Sequence, residues 1–580
     1  MSSTSITNTN TSSMPADGIS VMSRDEIIKI ACLQFHTAAN PKLGEPTNEL
    51  KEPTNELKEP TEKYNFSIFP DNPNFTFGTL HLKIADTPML TQEQVLDSNN
   101  DISGSMSDLC NDGKTKMQHA THTLKNIVTS LANSSKITMA TYGFDDRIEQ
   151  IFPDTKVTPS NVAELRAKLD NLQPRGSTDI YQSLETQKAR AAQRPPNMRQ
   201  TNLMMTDGQA NLGKSIDYSE MSKQVAPNCT NIFIGFGGDH NATGLQTLAA
   251  AQPNGSYFYV AEIEKAGLVF GEIIHMMLYT ALTNITIKLE NAEIYDYKTN
   301  TWSTQLRVPN IVSEATKTYH IRSATVDQAS AKIFASSTIH DEQDPSLIED
   351  DITQLPLLQE NGDTLIPVDL SLYMLRQRTQ ELMFKAHQQS LETESKLHYN
   401  PEGRETQKAI RCEMIQYLKF LRQYSKEQNL EDNEMLQTLI TDLVVILKTF
   451  GSQKATMYSG ARSDSQGRQT SNNVSYISPN DVVRCPPPPR RMVAGLRRQN
   501  AGIGFDDDND NLLVPGGGQT GGLHEDEDED EDYLQQQPQL RPQLSRTNTT
   551  PKQIAIMREV SAGASILQEL EDNSLPIPPL

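Results

Sequence analysis

A doubly wound, mainly parallel α/β sheet is the fold class predicted for residues 93–283, and three observations predict it. Short apolar runs of strand length alternate with segments whose apolar residues recur every three or four positions. Such alternation calls for crossover connections, which place helices on both faces of a parallel sheet. Oxygen-bearing residues of the region also gather where strands hand over to helices, the ends at which loops of such a sheet converge.

Taken in order, residues 1–65 are polar and carry a tandem heptapeptide, EPTNELK at Glu45 to Lys51 and again at Glu52 to Lys58, then the partial copy EPTEK. Each unit holds one Leu and one Pro, and Pro breaks a helix interior, so the repeat reads as a disordered spacer and not as a coiled coil. Within this region Ile27 to Phe35 is a short apolar segment able to dock on another element. Residues 66–92 form a β segment in which FTFGTLHLKI, Phe75 to Ile84, alternates apolar and polar residues.

In residues 93–283, Met117, Ala120, Leu124, Ile127 and Leu131 share helical spacing, as do Val162, Leu165, Leu169 and Leu172. ITMATYG at Ile137, NLMMTD at Asn202, NIFIGFG at Asn231 and SYFYV at Ser256 supply the strands. The apolar run Gly267 to Leu282 carries Glu272 and His275 and is short for a membrane span, so it reads as a core helix.

Residues 284–365 return to a period of two at Ile285, Ile287 and Leu289, with a turn near Lys298 to Asn300. Strand-like segments thus flank the α/β region on both sides. Phe66 to Ile84 and Asn284 to about Ile339 are expected to join in one β-sandwich into which the α/β domain is inserted. Residues 366–451 form a small helical module, plainest at Leu436, Leu439, Ile440, Leu443 and Leu447, with Gly451 as the stop. Residues 452–580 read as a disordered tail with a proline run at Pro486, a basic stretch from Arg490 and an acidic run from Glu525 to Asp532. Thr550 to Leu570 regains apolar periodicity and reads as a short binding helix.

The formal charge of −22 argues against a nucleic-acid partner, because a phosphate backbone would be repelled. The five cysteines have no paired spacing that would signal zinc or a disulfide framework. With no signal peptide and no membrane span expected, the reading is a cytoplasmic, intracellular protein without a membrane partner. Its oligomeric state stays open.

The chemistry is carried by Asp101-Ile102-Ser103-Gly104-Ser105, placed between a first strand and the helix containing Met117. D-x-S-x-S presents one carboxylate and two hydroxyls on a tight turn, hard oxygen donors suited to Mg²⁺ or Mn²⁺. Thr178, in RGSTDIYQSL, opens a later helix, and Asp207, in LMMTDG, closes a later strand. Each alone also reads as a helix cap or a turn. Three loops carrying such residues at strand ends of one sheet point instead to a common site.

With D-x-S-x-S, then Thr, then Asp in this order, the chain resembles the von Willebrand factor A family and its metal-ion-dependent adhesion site. More loosely, the domain order and the phrase YSGARSDSQGRQTSN at Tyr458 resemble multidomain intracellular proteins of protists and giant viruses that contain such a domain. The resemblance implies that Ser103 and Ser105 ligate the metal directly, that Thr178 joins in one state, and that Asp101 and Asp207 act largely through waters. Two neutral hydroxyls and outer carboxylates leave a cation under-neutralised, so an Asp or Glu of a protein partner can complete its octahedron. A non-enzymatic, cation-dependent binding protein is expected. The family's first strand is an apolar run ending at the Asp; here Asp97-Ser98-Asn99-Asn100 intervene after Val95-Leu96, which reads as a small insertion at the strand end.

Two rival readings remain. A literal P-loop match, Gly208, Gly213, Lys214 and Ser215, follows a strand, yet NIFIGFGG runs into glycines and not a carboxylate, and the helix after Ser215 is short. Alternatively the chain is a metal-independent scaffold that recruits through its tail. Asp145-Asp146 reads as a solvated loop near the metal, and His119 and His122 as surface residues lacking a third donor.

Overall fold

The computed structural model describes residues 27–36, 74–469, 472–473, 543–544 and 549–561; of the gaps within the second range, 209–216, 261–265, 338–346 and 396–400 are the longest. The chain divides into two compact units, residues 1–381, 463–473 and 544–580 in the first and 382–462 and 474–543 in the second.

The first unit opens with β1 (Ile28–Phe35) and β2 (Thr76–Ile84), paired antiparallel. The α/β region follows as β3 (Gln94–Asp101), α1 (Lys116–Leu131), β4 (Ile137–Phe144), β5 (Ile148–Lys156), α2 (Val162–Leu169), α3 (Ile180–Gln193), β6 (Arg199–Thr206), α4 (Tyr218–Ser222), β7 (Thr230–Phe236), α5 (Ala242–Ala250), β8 (Gly255–Val260) and α6 (Ala266–Tyr279). Its strands order as β5-β4-β3-β6-β7-β8, all parallel except β5, which returns antiparallel to β4. The antiparallel edge has no counterpart among the expected runs, because IEQIFPDTK is half polar and, with a Pro inside it, lacks a clean alternation.

Every helix-spaced residue named for α1 is buried, and with Leu165, Leu169, Leu203, Met205, Ile232, Ile234 and the apolar side of α6 they form one core cluster. Thr115 caps α1 through a reciprocal pair with Gln118, its Oγ1 accepting from the Gln118 N–H at 3.1 Å and its own N–H donating to Gln118 Oε1 at 2.8 Å.

Leaving α6, the chain enters β9 (Thr280–Glu290), then β10 (Glu293–Asp296), β11 (Thr301–Ser303), β12 (Gln305–Val308), β13 (Ile311–Val312), β14 (Thr316–Ser323), β15 (Ser330–Ser337) and β16 (Leu347–Gln354). These join β1 and β2 in a ten-stranded sheet of order β11-β10-β14-β2-β1-β16-β15-β9-β12, with β13 on β9. Strands from before and after the α/β region thus share one sheet, most extensively where β2 pairs β14 from Thr76↔Ser323 to Lys83↔Thr316. The entry and exit of the α/β region meet at the Leu90 N–H, which donates to Leu278 O at 2.8 Å. Leu33, Leu80, Leu82, Ile285, Ile287, Ile321 and Ile333 belong to one apolar cluster of this sheet.

Two expectations of disorder are corrected. Ile28–Phe35, inside 1–65, is a sheet strand, because its Leu33 and Phe35 find the β-rich core almost 250 residues downstream in sequence. The tail expected from residue 452 begins as a helix, α9 (Glu434–Thr449) being followed by α10 (Ala455–Arg468) after a turn at Gly451, whose φ of +92° suits glycine. α7 (Ser371–Ser395) and α8 (Pro401–Glu427) precede them. In the second unit Leu436, Leu439, Leu443 and Leu447 are buried, and Arg462 Nη1 meets the buried Asp442 Oδ1 at 2.8 Å.

The expected binding helix is α11 (Pro551–Val560), capped by Thr550. It lies on α6 and α1 of its own chain, where Asn126 Nδ2 donates to Val560 O at 2.8 Å and Gly267 and Gly271 let Ser561 and Met557 approach. The heptapeptide, the proline, basic and acidic stretches and most of the P-loop match lie outside the described residues. Among the described residues no helix is long and apolar enough to cross a membrane.

Candidate functional site

β3 and β6 are neighbours whose connections leave in opposite directions, β3 toward β4 through α1 and β6 toward β7. The crevice beyond their carboxyl ends is therefore the switch point of the sheet, where side chains from separate loops can meet. Asp101 ends β3, Thr206 ends β6, and Asp207 follows directly.

The expected insertion before Asp101 does not exist. Gln94 through Asp101 is one continuous strand, in register with β4 from Gln94↔Ile137 to Asp101↔Phe144 and with β6 as far as Asn100↔Met205. Asp97, Ser98, Asn99 and Asn100 are all within 1% of full burial. They are tolerated because α3 supplies partners. Arg190 Nη2 meets Asp97 Oδ1 at 2.7 Å and Asn99 Oδ1 at 2.7 Å, Arg194 Nη2 meets Asp97 Oδ2 at 2.7 Å, and Asn99 Nδ2 donates to Ser183 Oγ at 2.8 Å. Asn100 Nδ2 donates to Tyr142 O at 3.1 Å, and the Arg190 guanidinium lies 3.6 Å from the centre of the Tyr142 ring. Buried charge survives only when paired and hydrogen-bonded in this way.

From this rigid strand end the loop turns so that the Ser103 N–H donates to Asp101 Oδ1 at 2.8 Å. The Ser103 and Ser105 hydroxyls lie 3.1 Å apart, and Ser105 Oγ donates to Asp207 Oδ1 at 2.8 Å. Thr206, absent from the expected set, donates through Oγ1 to Asp101 Oδ2 at 2.5 Å. Its adjacency to Asp207 was the available signal. Thr178 is buried on the third loop, held close by Gly104 N–H donating to Gly176 O at 3.2 Å and Arg175 N–H donating to Ile102 O at 2.6 Å. A Cβ placed on Gly208 would stand 3.4 Å from Thr178 Oγ1, 3.7 Å from Ser105 Oγ and 3.8 Å from Asp101 Oδ2. Oxygens of all three loops therefore face one small volume beside Asp207, and only Gly208, without a Cβ, leaves it clear.

The carboxyl of Asp101 is pushed up to about 6, first by burial and then by the charge of Asp207, with the Thr206 and Ser103 hydrogen bonds pulling the other way. A further residue that the sequence reading did not single out is Lys116, at the start of α1, whose ammonium lies 2.6 Å from Asp207 Oδ2 and 3.1 Å from Asp108 Oδ2. Burial lowers its pKa, but the hydrogen bonds and charges of Asp207 and Asp108 outweigh that and leave it above the ordinary lysine value.

The residues fit a small, hard divalent cation. Their donors are all oxygen, two carboxylates and three hydroxyls. Among the described residues no group of three or more His, Cys, Asp or Glu is assembled. Asp145 is not solvated as expected: it is buried and receives Arg175 Nε at 2.8 Å and the Arg147 N–H at 3.0 Å, bracing the Thr178 loop. Of the two α1 histidines, His119 is buried and not on the surface as expected, whereas His122 is exposed. Of the P-loop match Gly208 is described, whereas Gly213, Lys214 and Ser215 are not.

A family model described as the von Willebrand factor type A domain matches residues 101–258, beginning at Asp101. No curated protein matches the chain. Among solved structures, a von Willebrand factor type A protein from Catenulispora acidiphila aligns with a TM-score of 0.44 at 14% identity, covering 71% of this chain and 93% of that one. The ArnB paralog VWA2 from Sulfolobus acidocaldarius aligns with a TM-score of 0.40 at 13% identity, covering 68% and 94%. Proximal thread matrix protein 1 from the mussel byssus, with a zinc occupied MIDAS motif, aligns with a TM-score of 0.26 at 18% identity over 33% of this chain and 49% of that one. The chain thus carries a von Willebrand factor type A domain, a class of domain that generally takes part in protein–protein interaction.

Proposed function

We propose that Asp101, Ser103, Ser105, Thr178 and Asp207 hold Mg²⁺ or Mn²⁺ and that the domain uses this site to bind a protein partner through an Asp or Glu carboxylate, without catalysis. The observation that carries the reading is the 2.8 Å hydrogen bond between Ser105 Oγ and Asp207 Oδ1, which joins loops 102 residues apart in sequence. Ser103 and Ser105 would ligate directly, and the buried carboxylates of Asp101 and Asp207 would orient the hydroxyls and any intervening waters. A cation held there supplies a Lewis-acidic position for an incoming carboxylate. Ser105 and Gly208 are not fully buried, which leaves that position reachable from solvent.

Calorimetry of the full chain with Mg²⁺ and Mn²⁺ tests the site. Binding in the wild type with at least a tenfold loss in Ser105→Ala is expected; no heat in the wild type rejects it. Capture of partners in Mg²⁺ and their release by EDTA tests the role. One observation favours a second reading, a metal-independent scaffold: Lys116 already neutralises Asp207. Partner capture indifferent to EDTA and to Ser103→Ala would favour that reading.

A further inference from the structure

Lys116 is built into the site's own loop. Its backbone N–H donates to Asp108 O at 3.0 Å, and the Cys110 N–H donates to Lys114 O at 2.8 Å, so the start of α1 is tied to the segment that follows Ser103 and Ser105. The Thr115–Gln118 capping box fixes where the helix begins. From there the lysine reaches Asp207, which is fully buried, while its second partner Asp108 is more than half exposed. Both Asp207 oxygens are consequently engaged, Oδ1 by Ser105 and Oδ2 by Lys116. A divalent cation approaching Asp207 would face a like charge at 2.6 Å from that carboxylate. Like charges at such spacing repel strongly in a partly buried setting, so the two cations exclude each other.

We infer that Lys116 is a tethered counter-ion of Asp207 that competes with a divalent cation for that carboxylate, gives it up and stays on Asp108 when the cation binds, and thereby sets the site's cation affinity. The inference rests on the cation-binding reading above. Asp108 is the second seat that lets the lysine leave Asp207 without becoming an unpaired buried charge. Lys116 is here a positioning and selectivity residue, not a ligand.

The test is Mn²⁺ calorimetry on the full chain with wild type, Lys116→Gln and Asp108→Asn. A structural role alone would make Lys116→Gln weaker or neutral; the counter-ion role makes it at least tenfold tighter, with Asp108→Asn severalfold weaker than wild type. Equal or weaker binding by Lys116→Gln overturns the inference and leaves the cation site standing. Absence of Mn²⁺ binding in all three proteins overturns both. A measurement on unmodified protein guards against misfolding of the variants: acetylation of Lys116 by an N-hydroxysuccinimide ester, read by mass spectrometry, should rise severalfold when Mg²⁺ is added. Unchanged or reduced labelling also overturns it.

Discussion

In the six-stranded sheet the central strand β3 buries Asp97, Ser98, Asn99 and Asn100, whereas in the ten-stranded sheet β2 and β9 bury Leu80, Leu82, Ile285 and Ile287. The first strand is buried on both faces. One face meets the apolar core under α1 and α6, and the other meets the arginines of α3. The strands of the ten-stranded sheet keep the period of two, with apolar residues turned to a single cluster. Polar residues in the middle of a doubly covered strand cost free energy unless every one is satisfied. What the comparison teaches is that the region with the candidate site adds directional, long-range bonds along β3 to an apolar core, whereas the ten-stranded sheet packs through apolar area. A hydrogen-bonded polar strand leading into the site fixes where the Asp101 carboxyl stands.

The largest expected effect breaks the polar strand. Asp97→Ala removes the buried carboxylate that Arg190 and Arg194 share, leaving Arg190 on Asn99 Oδ1 and Arg194 on Asp154 alone, and should cost about 3–5 kcal/mol, read by denaturant unfolding. A loss under about 1 kcal/mol would mean the arginines find water. In the scaffold, Ile287→Ala removes a fully buried side chain and should cost about 2–5 kcal/mol through the cavity left behind. If this outweighs Asp97→Ala, area dominates in both regions and the contrast fails.

Acid sharpens the comparison, since each region holds a buried histidine whose pKa burial depresses strongly. Burial lowers His275 of α6 to about 4, aided by the charge of Lys552, and lowers His320 of β14 to about 3, aided by Arg376. A depressed folded pKa means the unfolded chain binds the proton first. The stabilisation is complete above the ordinary value of 6.5 and is lost as pH falls through 6.5 toward 4 for His275 and toward 3 for His320. Between pH 7.5 and 5 each should forfeit about 2 kcal/mol. Protonation of Asp101, raised to about 6, works against this loss, so the readout is the difference from wild type: His275→Gln and His320→Gln should each remove one histidine's share, and a pH dependence unchanged in both variants contradicts the burial argument.

The smallest effect concerns the docked helix. A methyl at Gly271 would stand 2.6 Å from Met557 Cα, so Gly271→Ala should cost about 1–3 kcal/mol and raise hydrogen exchange selectively in Pro551–Val560. Exchange unchanged in that helix would show that the glycine is not what admits it.

Local pattern was sufficient for a large part of this protein. The spacing of Met117, Leu124 and Leu131, the strand runs at Ile137, Asn202 and Asn231, and the order Asp101, Ser103, Ser105, Thr178, Asp207 were legible in the sequence, because periodicity and strand-end position report on neighbours a few residues away. Asp97 to Asn100 looked like an insertion for the same reason, since Ser183, Arg190 and Arg194, which meet Asp97 and Asn99, lie more than 80 residues onward on and just after α3, and Tyr142, which meets Asn100, lies on β4. No local pattern marked Lys116 as a partner of Asp207, and Ile28–Phe35 read only as a short apolar segment until β2 and β16 flanked it. The sequence by itself determined which elements form and which oxygens stand at strand ends. Tertiary structure decided which charges face one another, because ion pairing acts across space between residues that no local period connects.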